Sequence, residues 1–133
     1  AKVRIPVFAN GDVRTPEDAR AILAATDADG ILVGRGAFGA PWRLMQMQDA
    51  LDGLTPRPDP APQQAWMIAL AQYQQSLSHY GSELGRRVVR KHLGWYAEQL
   101  GLSRGVRDVL VRSDDATPVL ERLASGMPVA EAA

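Results

Sequence analysis

Two short apolar runs, each closing in a glycine-containing polar turn, constrain this chain more than any other feature. The first is Ile-Pro-Val-Phe-Ala-Asn-Gly-Asp at 5–12, and the second is Gly-Ile-Leu-Val-Gly-Arg-Gly-Ala-Phe-Gly-Ala-Pro-Trp at 30–42. Short runs without polar alternation suit strands of a parallel sheet, which are buried on both faces. We read them as strands over 5–9 and 31–33. Between them, Thr15-Pro16-Glu17-Asp18 opens a helix: Thr15 as N-cap, Pro16 in the first turn, and two acids at the positive helix end. Ala19, Ile22, Leu23 and, at the margin, Thr26 fall on its inner face. A strand–helix–strand unit with a polar turn after each strand is the repeat of a (β/α)8 barrel. Two such turns in succession match the loops after its last two strands, where these barrels gather phosphate sites.

The rest of the chain has a different character. Pro41 is expected to start a second helix reaching Leu51, packed through Leu44, Met47 and Leu51, with a small helix around 36–39 before it. Pro56, Pro58, Pro60 and Pro62 then alternate with other residues, a spacing that stiffens a linker and excludes a helix. Beyond them the pattern is all helical: 63–80 closed by Gly81, 82–100 with Ser82 as N-cap and Gly101 as stop, 103–112, 117–124, and a last helix from Pro128. Gly85 and Gly94 weaken the second of these as a helix. The expected fold class is therefore an α/β remnant, the last two β/α units of a TIM barrel, followed by an all-α helical bundle, mostly α overall. The expected domains are 1–52, a linker at 53–62, and 63–133.

The 133 residues fall far short of the roughly 250 of a complete barrel. The chain thus reads as a piece of a longer protein, and the unpaired apolar strands of such a piece are expected to be disordered, to repack, or to self-associate. There is no cysteine, which removes disulfides, thiolate metal sites and a thiol acid. No metal site is expected. No apolar run is long enough for a membrane span, and the chain is expected to be cytoplasmic. The formal net charge is zero, so any polyanion surface must arise from uneven placement of charge.

Three constellations can carry chemistry. Asn10-Gly11-Asp12 ends a strand with an amide, a glycine that lets a ligand near the backbone, and an acceptor, although the same triplet is ordinary turn chemistry. Gly34-Arg35 within Gly-Arg-Gly offers exposed backbone N–H groups and a guanidinium fork, the recipe for a phosphate site. On the 82–100 helix, Arg86, Arg87, Arg90 and Lys91 span a sector of roughly 140°, with Val88, His92 and Tyr96 expected to turn inward. From the residues alone this stripe is equally an RNA-binding face or a solvated one. His92 and Trp95-Tyr96 read as packing residues.

The paired turns, together with Arg-Lys-His-Leu-Gly-Trp-Tyr at 90–96, resemble the C-terminal part of the bacterial tRNA-dihydrouridine synthases, in particular the DusB, nitrogen-regulation-protein-like branch. The resemblance runs from the first residues to about Tyr96. It implies an FMN barrel with a helical tRNA-binding domain. FMN would contact Asn10, Gly11 and Asp12, with Gly34 and Arg35 at its phosphate, and tRNA would meet Arg86, Arg87, Arg90 and Lys91. It implies that the parent enzyme reduces a uridine in tRNA to dihydrouridine, with NADPH as reductant. The family's cysteine acid and its flavin-side lysine and histidine would lie upstream, so this chain has no catalytic residue of its own. Two other readings stand beside it: another FMN-dependent barrel oxidoreductase, and a non-enzymatic helical module that binds RNA or protein.

Overall fold

The computed structural model describes residues 3–128. The chain divides into two compact units, Ala1–Asp59 and Pro60–Ala133. The last helix expected from Pro128 falls on residues outside those described.

In the first unit, β1 (Phe8–Asn10) and β2 (Gly30–Leu32) pair in parallel, with Phe8 opposite Gly30 and Asn10 opposite Leu32. The first strand begins later than expected because Pro6 has no N–H to give. Val7 is instead clamped by Asp29, whose carboxylate accepts the Val7 N–H at 2.8 Å while its own N–H donates to the Val7 carbonyl at 2.8 Å. The connecting helix α1 (Pro16–Ala25) starts as the sequence dictates. Thr15 and Asp18 form a reciprocal capping box, and Ala19 is fully buried. Thr26 is not an inner-face residue: it is exposed, and its hydroxyl donates to the Ile22 carbonyl.

A 3₁₀ turn at Arg35–Ala37 stands slightly ahead of the expected small helix, and α2 covers Arg43–Leu51. Val13, Ala19 and Met47 form the buried core, flanked by Ile22, Ile31, Val33 and Leu51. Leu44 was expected in that core and is 45% exposed, whereas Gln46 and Asp49 are buried. The inward polar face exists because the proline segment packs on it. Ile5, Phe8 and Leu32 remain exposed beside the two-stranded sheet. The two strands pair with each other, and their outer apolar residues are left uncovered.

The second unit is all helix: α3 (Pro62–Tyr80), α4 (Ser82–Gln99), α5 (Arg104–Arg112) and α6 (Ala116–Ala124). Gly81, at φ 81°, is the joint between α3 and α4 and takes the N-cap position assigned to Ser82. The core is built on Trp66, Tyr73, Val89, Leu93, Val119 and Leu123. Its polar ring atoms are satisfied: Trp66 Nε1 donates to the Leu123 carbonyl at 2.8 Å and the Tyr73 hydroxyl to the Ala116 carbonyl at 3.1 Å.

The two helix-interior glycines of α4 have different physical reasons. A Cβ at Gly85 would stand 2.5 Å from the Ser76 carbonyl oxygen, so α3 and α4 touch backbone to backbone there, and the Ser76 hydroxyl donates to the Gly85 carbonyl. A Cβ at Gly94 would only meet a Val111 methyl at an ordinary 3.5 Å. Gly85→Ala is accordingly expected to destabilise by about 1–3 kcal/mol through overpacking. Gly94→Ala should stabilise by about 0.5–1 kcal/mol through helix propensity. Denaturant midpoints of the two variants check the pair; equal shifts would refute the assigned contact.

Candidate functional site

The parallel register brings the two polar turns side by side, because Asn10 and Leu32 are partners and each turn starts directly after its strand. Glycine makes the approach closer still. A Cβ at Gly36 would collide with the Val13 carbonyl, so the second turn rests on the backbone of the first. Arg43, from α2, donates to the Gly36 carbonyl at 3.1 Å and holds the turn from behind. The first turn is fixed as firmly. Val13 N–H closes on the Gly11 carbonyl at 2.6 Å, and the Asp18 carboxylate accepts the N–H groups of Arg14 and Thr15. Those backbone donors hold the Asp18 carboxyl below its ordinary range.

Across the two turns, Arg35 Nη2 donates to Asp12 Oδ1 at 2.8 Å. Both side chains are largely exposed, so the pair contributes little to stability; its effect is to aim the guanidinium. Four further N–H donors remain on that guanidinium. The N–H groups of the exposed Gly34 and Arg35 have no acceptor among the described residues. A Cβ at Gly34 would meet nothing within 4 Å, so that side of the turn is open. Free backbone donors, an open approach and an oriented arginine are the groups that an anion site requires. All five residues read from the sequence, Asn10, Gly11, Asp12, Gly34 and Arg35, lie on these two turns. Gly36 was missed as a site residue, although the Gly-Arg-Gly spacing displays it.

The four basic residues on α4 separate. Arg87 and Lys91 are exposed and Arg90 is half-buried. Arg86 departs from the expected stripe: it is half-buried, and its Nη1 donates to the Ser113 carbonyl at the end of α5 at 2.8 Å. It closes a helix terminus that would otherwise lack a donor. Arg87 stands 3.9 Å from Glu83. Arg90 and Lys91 have no partner among the described residues. Val88, expected inside, is 43% exposed; Gly85, Val89, Leu93, Tyr96 and Ala97 form the buried face instead. His92 is half-buried with its ring edge-on to Trp95 at 5.0 Å, and burial lowers its pKa. Tyr96 is buried and donates to Gln72 Oε1, and burial pushes its hydroxyl up to about 12.

Residues 1–130 match the family model described as Dihydrouridine synthase (Dus). The chain belongs to the dihydrouridine synthase family. Over its whole length it is 41% identical to a probable tRNA-dihydrouridine synthase of Rhodobacter capsulatus, covering 40% of that protein. Over 115 residues, 85% of the chain, it is 42% identical to tRNA-dihydrouridine synthase B of Pseudomonas syringae pv. tomato, covering 34% of that protein. A probable tRNA-dihydrouridine synthase of Mycobacterium leprae is 33% identical over 97% of the chain, again 34% of its own length. The chain thus spans about two fifths or less of the length of these curated relatives. Among the described residues no helix is long and apolar enough to cross a membrane, and no acid or histidine cluster could hold a metal ion.

One further cluster ties the segment after α2 to that helix. Arg57 forms a two-pronged pair with the buried Asp49 at 2.7 Å on each prong, and its N–H adds a third bond to the same carboxylate. Asp59 Oδ1 accepts from Trp42 Nε1 and Gln46 Nε2, both at 2.9 Å. The Arg57 hydrogen bonds hold the Asp49 carboxyl down at about 2, below the ordinary 3.8. A carboxyl lowered by folding contributes stability in full above its unfolded pKa and loses it as pH falls through the folded value. The bridge is expected intact down to about pH 4 and lost between about pH 4 and 2. A carboxyl-carbon NMR titration of Asp49, with stability curves of Asp49→Asn over the same range, checks this. An Asp49 midpoint near 4 would contradict it.

Proposed function

We propose that this chain is the C-terminal portion of an FMN-dependent tRNA-dihydrouridine synthase. It carries the phosphate end of the cofactor site and a helical tRNA-binding unit. The observation that supports this reading most is the meeting of the two glycine turns at the C-terminal ends of adjacent parallel strands. The free N–H groups of Gly34 and Arg35 and the guanidinium of Arg35, bonded across to Asp12, all lie on these turns. The residues present fit a phosphate monoester. The backbone N–H groups of Gly34 and Arg35 and a guanidinium offer charge-assisted bonds to a dianion, and the open side of Gly34 leaves room for it. Asn10 and Asp12 supply an amide and an acceptor for the polar chain leading away from the phosphate. When bound, FMN supplies the hydride that reduces the C5=C6 bond of the uridine, and NADPH recharges it in the full-length enzyme.

The roles of this chain are to hold the cofactor by its phosphate and to bring tRNA to it. The proton donor of the reaction, a cysteine in the family, has no counterpart among these 133 residues. A target uridine must leave its stack to be reduced, which favours a cationic surface that holds the RNA while it does so. Arg87, Arg90 and Lys91 are proposed for that surface, with Arg86 mainly structural. Membership of the family argues against a small-molecule oxidoreductase and against a helical module unrelated to an enzyme.

Three outcomes test the proposal. The chain alone, given FMN, NADPH and tRNA, should form no dihydrouridine by mass spectrometry. In the full-length enzyme, Arg35→Ala should weaken FMN binding by about 1.5–3 kcal/mol with little change in melting temperature. Undiminished flavin content would sink the phosphate role. Replacing Arg87 and Lys91 together with Ala should lower the log–log salt slope of tRNA binding by about 1–2 while leaving flavin content unchanged.

A further inference from the structure

The exposed side of α3 differs from the other helices of the second unit. Across 19 residues it carries no Asp, Glu, Lys or Arg, whereas at the chain's overall 23% charged residues about four would be usual. Its polar side chains are five glutamines, two serines and His79. Amides and hydroxyls both donate and accept, so they can meet base edges and ribose hydroxyls, and they do not repel phosphate.

Between α3 and α4 runs an open groove of about 250 Å³. Gln72, Gln75, Ser76 and His79 line it from α3, and Val88 and His92 from α4. That volume lies below the 300–1,000 Å³ usual for a metabolite pocket, and suits one flat ring at the surface. The donor and acceptor inventory is partly committed in a useful way. Gln72 Oε1 is taken by the Tyr96 hydroxyl, which leaves its Nε2 as a donor. The Ser76 hydroxyl gives its proton to the Gly85 carbonyl, which leaves its oxygen as an acceptor. At the end of the groove Tyr80 is 48% exposed, and the His79 ring stands edge-on to it at 4.5 Å, a geometry that steadies the tyrosine plane. Arg87 and Lys91 are exposed on the adjoining face of α4.

We propose that this groove receives an unpaired nucleotide of the tRNA. Tyr80 offers the face on which the base stacks, Gln75 and Gln72 bond its edge or its ribose, and Arg87 and Lys91 meet the flanking phosphates. The inference rests on the tRNA reading above and adds to it that the second unit reads an unstacked base, not the backbone alone. Charge complementarity selects RNA as the occupant. A polyanion is drawn by the α4 cations and meets no acid on α3, while amides and a ring supply the contacts that a backbone-only surface lacks.

The test measures affinity of the full-length enzyme for an unmodified tRNA transcript and for a fully paired RNA duplex of similar length, across several salt concentrations. Tyr80→Ala and Gln75→Ala should each weaken tRNA binding roughly fivefold or more, with an unchanged salt slope and no effect on the duplex. Tyr80→Phe should keep the affinity, because it keeps the ring. Gln74→Ala, on an exposed part of α3 away from the groove, serves as the control. Circular dichroism confirms that the variants fold. Unchanged tRNA affinity in Tyr80→Ala and Gln75→Ala overturns the groove proposal and leaves the enzyme assignment standing. Equal losses on tRNA and duplex overturn it too, since the contact would then be to the backbone. Absence of tRNA binding by the starting enzyme overturns the tRNA reading itself.

Discussion

The site in the first unit depends on one close approach, that of Gly36 to the backbone of Val13. Strand pairing brings the two turns to neighbouring positions, but parallel strands lie nearly 5 Å apart and their loops can splay. A residue with no Cβ removes that freedom by letting one turn sit on the other. The Arg35–Asp12 bond at 2.8 Å then spans a gap already set by the backbone. This order of causes matters, because an exposed ion pair is too weak to draw two loops together. The guanidinium is oriented by the turns; it does not hold them.

The same logic extends to the segment that follows α2. The segment after α2 has the composition of a spacer, yet Arg57 and Asp59 tie it to Asp49, Gln46 and Trp42 through bonds of 2.7–3.0 Å. Alternating prolines make this inexpensive. Their fixed φ leaves little conformational entropy to lose, so a few hydrogen bonds suffice to hold the segment in one path. It covers a polar face of α2, and Asp49 accepts three bonds from Arg57 in return for its burial. The prolines alone therefore do not define a flexible joint.

What was legible in the sequence was local. Thr15, Pro16 and Asp18 specify the start of α1 through contacts within four residues, and the two glycine turns announce themselves by their own composition. What was not legible depended on partners distant in the chain. Leu44 suits a core position by periodicity, but the proline segment claims the Gln46–Asp49 side, and leucine is left exposed. Arg86 fits a basic stripe by angle, but the end of α5 takes its guanidinium from 27 residues away. Gly85 looked like a helix defect because its reason lies in the Ser76 carbonyl of another helix. Gly36 follows the same rule, because its reason is the backbone of Val13, 23 residues earlier in the chain.

Electrostatics then limits what the helical unit can do with RNA. With Arg86 engaged at Ser113, the α4 surface has two exposed cations, Arg87 and Lys91, and a half-buried Arg90. At physiological salt, screening acts over about 8 Å, so what a phosphate feels is this local set and not the zero net charge of the chain. Acids on the same helix offset part of this charge: Glu83 is exposed 3.9 Å from Arg87, and Glu98 is exposed near the other end. A surface of two or three cations on a neutral background gives modest backbone affinity, well short of proteins that neutralise six to ten phosphates. On the proposed reading, recognition by this unit must draw on contacts that salt does not screen, namely stacking and amide bonds. Such contacts favour folded RNA with unstacked bases over any regular duplex, because only unstacked bases expose their faces.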